Sequence, residues 1–533
     1  MKAVQLIRNK PYARHCLAFV FFTLLCSFTL SVAAKTVAPK TQNDPLENKL
    51  PKGISPRKNT SAHSSERFPG GETNVRTAKN KHAFSQPSAN LSLEERLGFA
   101  MGKAIFEKLW VSSPSSTTAS DGLGPLYNAR SCARCHVNNG RGEAPPLDQD
   151  TKALRPISLF VRLSIPPNPL QQTLITSGAI DFVAEPTYGA QLQGFANPGG
   201  RTEGRLNVSY LPKIQTLSEG DSISLYAPIY EITNLGYGPM HPDTMVSPRL
   251  APPMIGLGLL ENISSRDIQD LADPEDSNND GISGRIRWVK NRQTDSLEIG
   301  RFGWKAGSPT LDQQNAAALF HDIGIGSSLF IEPWGDCTAK QDACRSQPHG
   351  NTGRHDNLEA SQKMTKVLAD YTRHLAVPVR EEHAKFQAGK EIFHQVGCAS
   401  CHRPSFTTRA DANHPALAEQ IIWPYSDLLL HDMGEGLADN RPEGNANGRE
   451  WRTPPLWGIG FTPYLANNQR DKNQKPQYQQ KNKGVEYYLH DGRARSLIEA
   501  ILWHGGEGLA AANKVRQLSS RHREQLILFL ESL

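Results

Sequence analysis

The chain has 533 residues, 38 % of them hydrophobic and 21 % charged, with eight cysteines and a formal net charge of +6. Residues 1–90 hold 14 Lys and Arg against 4 Asp and Glu, which leaves 45 against 49 for the rest, so the body carries about −4. A nucleic-acid partner is thereby excluded, and the basic character belongs to a leader and tail.

Residues 1–34 read as an export signal: Lys2, Arg8, Lys10 and Arg14 precede an uncharged apolar run from Cys16 to Ala34 that ends in Ser-Val-Ala-Ala. The run is also long enough to stay as a membrane anchor, so a periplasmic or cell-envelope location is expected, with or without a tether. From Lys35 to Asn90 the chain is polar and lacks apolar periodicity, which predicts a disordered linker over 35–90. A packed body begins near Leu91 with an amphipathic helix that carries Gly102-Lys103-Ala104-Ile105-Phe106.

Next comes Cys132-Ala133-Arg134-Cys135-His136, which returns as Cys398-Ala399-Ser400-Cys401-His402. Two thiols at this spacing reach the two vinyl groups of one haem, and the adjoining imidazole is placed to ligate its iron. A Cys₄ zinc site would also use paired C-x-x-C, but it does not explain a histidine after the second cysteine both times. Two covalent haem c groups are expected, held by Cys132, Cys135 and His136 and by Cys398, Cys401 and His402. Attachment of this kind takes place outside the cytoplasmic membrane, in agreement with the leader.

Residues 157–208 and 222–233 show short alternating runs broken by Pro and Gly, which suits irregular β-hairpins. For the sixth position of the first iron, His241, Met254 and His321 are the candidates, and Glu143 and Glu261 are the candidate acids. The loop Asp273 to Gly284 contains D-x-N-x-D-G, which sets Asp276, Asn278 and Asp280 on one side of a tight turn as in a calcium loop. The bidentate Glu expected six residues past the glycine is replaced by Arg287, so a calcium ion and a solvated Asx turn stand side by side. Cys337 and Cys344 are expected to pair as a local disulfide. A helix over 361–375 closes the first haem-carrying unit, 91–378, and the second occupies 379–533.

The second unit repeats features of the first. Gly389-Lys390-Glu391-Ile392-Phe393 matches 102–106, and Pro454-Pro455-Leu456-Trp457-Gly458 matches Pro252-Pro253-Met254-Ile255-Gly256 as an extended loop over apolar surface. Trp110, Trp304 and Trp457 are candidates for positions near haem edges.

Gly122-Leu123-Gly124-Pro125-Leu126-Tyr127-Asn128, Arg301-Phe302-Gly303-Trp304-Lys305, Leu430-His431-Asp432-Met433-Gly434-Glu435-Gly436 and His490-Asp491-Gly492-Arg493-Ala494 resemble the bacterial di-haem oxidoreductase family. More remotely, the chain is similar to the dihaem cytochrome c peroxidases. That resemblance implies a mainly α fold of two cytochrome c-like haem domains in tandem, the first enlarged by an irregular β-rich insertion. It also implies a calcium between the domains and, after Arg452 to Leu456 and His490-Asp491-Gly492, a distal ligand at His504 before Gly505-Gly506. Ser496 and Glu499 form a capping box for the helix that would carry His504, with His431 and Met433 as competitors. Methionine is usual at that position, and histidine in its place lowers the haem potential.

The expected function is an exported dihaem cytochrome that reduces peroxide or another small oxidant at the first haem. Its electrons come from a donor protein or small redox carrier through the second haem. The alternatives are an electron-transfer cytochrome without catalytic activity and an oxidase of a protein or small molecule. The family label of thiol oxidoreductase would instead place activity at Cys337 and Cys344.

Overall fold

Prolines and glycines, 37 and 43 of them, cut the chain into short elements that caps and close contacts then hold in place. The structure, a computed structural model, describes residues 64–117, 120–147, 158–381, 386–465 and 485–533, and the expected leader lies outside them. The helix Leu93–Glu107 starts at Ser92, whose Oγ accepts from Glu95 N at 3.2 Å while the Glu95 carboxylate accepts from Ser92 N at 2.8 Å. It buries Phe99, Gly102 and Phe106 against the helix Gln362–Arg373. Gly102 is where the two backbones touch, since a Cβ there would overlap Val367 O and Tyr371 Cβ.

The same device recurs 287 positions later. Helix Gln387–Gln395 crosses helix Ser520–Leu530 at Gly389, where a Cβ would overlap the carbonyl of Gln525. Four residues on, each repeat sets a phenylalanine beside a motif histidine: Phe106 lies 6.1 Å from His136 and Phe393 lies 6.4 Å from His402, ring centre to ring centre. The two Pro-Pro loops meet each other, because Gly256 abuts Trp457 and Gly458 abuts Ile255.

The mainly α expectation is overturned. The fold is mixed α/β, with 31 % helix and 19 % strand, and its strands form seven two-stranded sheets among the described residues. Two ribbons are substantial: Leu159–Ser164 with Met245–Leu250, and Arg205–Thr216 with Ser222–Thr233, both antiparallel. The description as two tandem cytochrome c-like domains fails with it, and what repeats is the local helix crossing and its loop. Most other strands are two or three residues long, too short to show alternation in sequence.

Residues 64–90, expected to belong to a disordered linker, are structured. Ser64–Arg67 is a 3₁₀ turn, Val75 bridges to Pro378, Pro87 bridges to Leu375, and Ala83 and Phe84 are buried. Phe84 joins an apolar cluster with Ile255, Trp457 and Phe461. Another cluster packs Leu217, Leu225 and Trp304 with Phe393, Trp451 and Leu526, so residues from both sides of Pro378 share one core. No helix among the described residues is long and apolar enough to cross a membrane.

Candidate haem centres

The first motif forms a single turn, Cys132–Cys135, and leaves His136 at its C-terminal end. His136 Nδ1 donates to the carbonyl of Pro252 at 2.8 Å. Burial pushes this imidazole below its usual range, with the Pro252 hydrogen bond working the other way, so the ring is neutral. Its Nε2 makes no hydrogen bond to a described residue, which is the state an iron ligand requires.

The second motif repeats this geometry. Gly397, with φ of 97°, turns the chain into Cys398–Ser400, and His402 Nδ1 donates to the carbonyl of Tyr425 at 2.9 Å. Burial lowers the His402 pKa to about 4, again leaving Nε2 with a free lone pair. None of the four motif cysteines forms a disulfide, and all are half-buried. No cluster of metal-ligating side chains among the described residues combines the two cysteine pairs, which disposes of a shared zinc site. Two separate centres, each with two thiols and one oriented imidazole, fit a haem group apiece.

His504 sits just past the helix Leu497–Leu502, which Ser496 caps by accepting from Glu499 N at 3.3 Å. The capping box is incomplete, since the Glu499 carboxylate accepts from Arg495 N rather than Ser496 N. His504 Nδ1 donates to Ala500 O at 2.8 Å, and the ring is close enough to His402 to disfavour its protonation. Of its two competitors, His431 is consumed: Nε2 meets Asp427 at 2.8 Å and Nδ1 meets Glu507 at 2.6 Å. Burial opposes a charged ring there, but the Asp427 carboxylate, with Glu507, holds His431 as an imidazolium well above its usual range. Met433 packs at the edge of the surrounding apolar cluster.

The first centre opens onto a cavity of about 740 Å³ lined by Cys132, Cys135 and His136. Met254 and His321 also line it, whereas His241 does not: its backbone N donates to Glu185 and its ring faces Asp243. His321 Nδ1 is buried, without a hydrogen-bond partner, 3.9 Å from the Asp336 carboxylate. Neither proposed acid serves the cavity. Glu261 is spent on Arg373 Nε at 2.7 Å and Leu311 N at 2.8 Å, and Glu143 lies outside the wall.

Trp304, in the cavity wall, donates from Nε1 to Leu250 O at 2.7 Å and meets His490 edge-on, centroids 6.5 Å apart. His490 stacks on Trp451 at 3.8 Å and is neutral, burial having lowered its pKa to about 4. Trp110 lies under the Lys108 ammonium and Trp457 against Gly256, both away from the cavity wall. Asp276, Asn278 and Asp280 point into their own loop: Asp276 accepts from Asp280 N and Gly281 N, and Asn278 accepts from Asp280 N. That is an Asx-turn arrangement on the surface. Cys337 and Cys344 are joined, with Cα atoms 6.3 Å apart.

A family model described as "Di-haem oxidoreductase, putative peroxidase" matches residues 63–533. No curated protein matches the chain. Among solved structures, the Kuenenia stuttgartiensis hydrazine synthase pressurized with xenon aligns over 73 % of this chain and 95 % of its own at 14 % identity. Its TM-score of 0.26 is too low for a shared fold to be read from it.

Proposed function

The chain belongs to the di-haem oxidoreductase family, and from that premise we propose that it is an exported c-type cytochrome that reduces peroxide at its first haem. Electrons arrive from a protein or small redox carrier and pass through the second haem. The observation that carries this reading is the asymmetry between two centres built on the same turn: a cavity of about 740 Å³ faces His136, whereas His504 is close enough to His402 to oppose its protonation.

Bound haem supplies the one-electron redox chemistry and, where a coordination position is free, a place for the oxidant. Reduction of hydrogen peroxide to two waters takes two electrons and two protons, so one equivalent from each haem completes the turnover. The Pro252 and Tyr425 carbonyls hold one proton on each motif histidine and fix the ring orientation. Trp304, His490 and Trp451 lead from the cavity wall into the cluster that contains Trp503, the neighbour of His504. This stack is the proposed route between the centres.

One observation favours a carrier without catalytic activity: His321, whose buried Nδ1 lacks a partner, stands in the cavity wall where it would fill a sixth position. Electron paramagnetic resonance decides between the two. A high-spin signal with peroxide consumption by the donor-reduced protein supports the peroxidase, and two low-spin haems inert to peroxide overturn it. In the second case H321A should convert the first haem to high spin.

A further inference from the structure

The wall of the first cavity is more cationic than a peroxide site needs. Nine Lys or Arg side chains line it against four Asp or Glu. Part of the excess is paired: Arg249 meets Glu443 at 2.5 Å, Arg287 meets Glu443 at 3.2 Å and Asp181 at 2.7 Å, and Lys305 meets Asp439 at 2.9 Å. Arg441 also bonds to Glu443, so four buried cations share three carboxylates. Burial pushes the Lys305 ammonium down to about 8, with Asp439 opposing the shift and Arg249 adding to it.

Arg162 adds a further guanidinium. Its side chain makes no hydrogen bond or contact ion pair with a described residue; the guanidinium lies over the Phe160 ring, 5.5 Å from its centroid, within the field of Asp322, Arg249 and Glu443. Ribbon register explains its position. Phe160 pairs with Arg249 and Arg162 with Ser247, so Phe160, Arg162 and Arg249 share the face that lines the cavity. Leu159, Val161, Leu163 and Leu250 occupy the other face, in an apolar core. Arg249 stands three residues before Pro252, the residue that holds His136, a reach of about 10 Å in extended chain.

We propose that Arg162 and Arg249 dock the two propionate carboxylates of the first haem and so fix which porphyrin edge faces the ribbon. The proposal rests on the haem reading given above. A haem brings two carboxylates that cannot be buried unpaired; the partly buried Arg162 meets no contact carboxylate among the described residues, and Arg249, though it meets Glu443, has further N–H groups to offer. Guanidinium groups match carboxylates in bidentate geometry. A small oxyanion from solvent has the same chemistry and is the competing occupant.

The test uses the full-length exported holoprotein with R162Q and, to preserve the charge on which Glu443 depends, R249K. Intact mass reports whether two haems are attached. Resonance Raman reports the propionate bending bands, and a redox titration reports each haem. We expect R162Q to keep both haem adducts, shift a propionate band of the first haem and lower that haem's midpoint potential, since losing a positive charge favours the ferric state. The second haem should not change. Unmoved propionate bands in both variants overturn the assignment. So does a saturable change of the wild-type spectrum with nitrate that R162Q abolishes while the bands stay fixed, because the site then holds a solvent oxyanion. Wild-type protein without two haem adducts removes the haem reading itself, a failure the mass distinguishes from the others.

Discussion

The Tyr425 carbonyl accepts the Nδ1 proton of His402 at 2.9 Å, and the opposite end of the same tyrosine donates its phenol to Glu66. Glu66 also pairs with Arg380 and, at 2.5 Å, with Lys390. Burial works against ionising this carboxyl, but the Arg380 and Lys390 charges outweigh it and hold the pKa low. A residue of the segment expected to be disordered thus anchors the turn that orients a candidate iron ligand. E66A should leave the Arg380 guanidinium buried without a counterion and cost about 3 kcal/mol in stability, measured by chemical denaturation. A change within experimental error would show that residues 64–90 do not brace the second centre.

Gly389 gives a test of the helix crossing. A methyl group there has no room against the Gln525 carbonyl and Phe529 Cβ, so G389A must push helix Ser520–Leu530 away from Phe393. Overpacking of this kind costs about 2 kcal/mol. A lower melting temperature is expected together with a perturbed spectrum of the second haem only. The matching G102A should perturb the first.

Local features were readable from sequence, and long-range ones were not. The C-x-x-C-H turns, the Gly-Lys-x-Ile-Phe helices and the Pro-Pro loops each carry their signal within a few residues. Glu261 looked like an available acid because nothing nearby in sequence announces Arg373, 112 positions away. His431 looked like a ligand until folding placed Asp427 and Glu507 on its two nitrogens. Arg162 and Arg249 become neighbours only through the register of a six-residue ribbon. The α-rich expectation failed because strands of two or three residues leave no period to read.

The Cys337–Cys344 pair separates a structural role from a thiol-based activity. The bond closes a loop of seven positions. Constraining a loop this short is worth about 2.5 kcal/mol in the chain-entropy model. The C337S/C344S double variant should therefore melt earlier and keep its peroxide turnover. Loss of turnover at unchanged stability would move the activity to the thiols.

Glu359 makes stability depend on pH. Its carboxylate accepts from Gly326 N at 2.8 Å and Gly350 N at 3.0 Å, yet burial outweighs both and raises its pKa to about 8. The folded state therefore binds a proton that the unfolded chain, with a model value of 4.5, has already lost at neutral pH. Its contribution is full below about 4.5 and disappears as pH rises through about 8. Melting temperatures of the wild type should fall across this window. E359Q cannot titrate, so its profile should be flatter, and an unchanged slope would assign the pH dependence to another group.

His504 offers the sharpest test of the two-centre reading. Its Nδ1 is held by Ala500 O and its ring lies near His402, so Nε2 is the nitrogen left for an iron. In H504A the helix Leu497–Leu502 keeps its Ser496 cap, and stability should change little. The second haem should lose an axial ligand and move from low spin toward high spin, with the first haem's signals untouched. Loss of the imidazole also changes the potential of the second haem, which should slow reduction of the first by an external donor. An H504M variant should restore the low-spin state at a higher potential, because a thioether stabilises the ferrous iron. If H504A leaves both signals as in the wild type, the ligand comes from elsewhere. Met433, at the edge of the same apolar cluster, is then the next residue to replace.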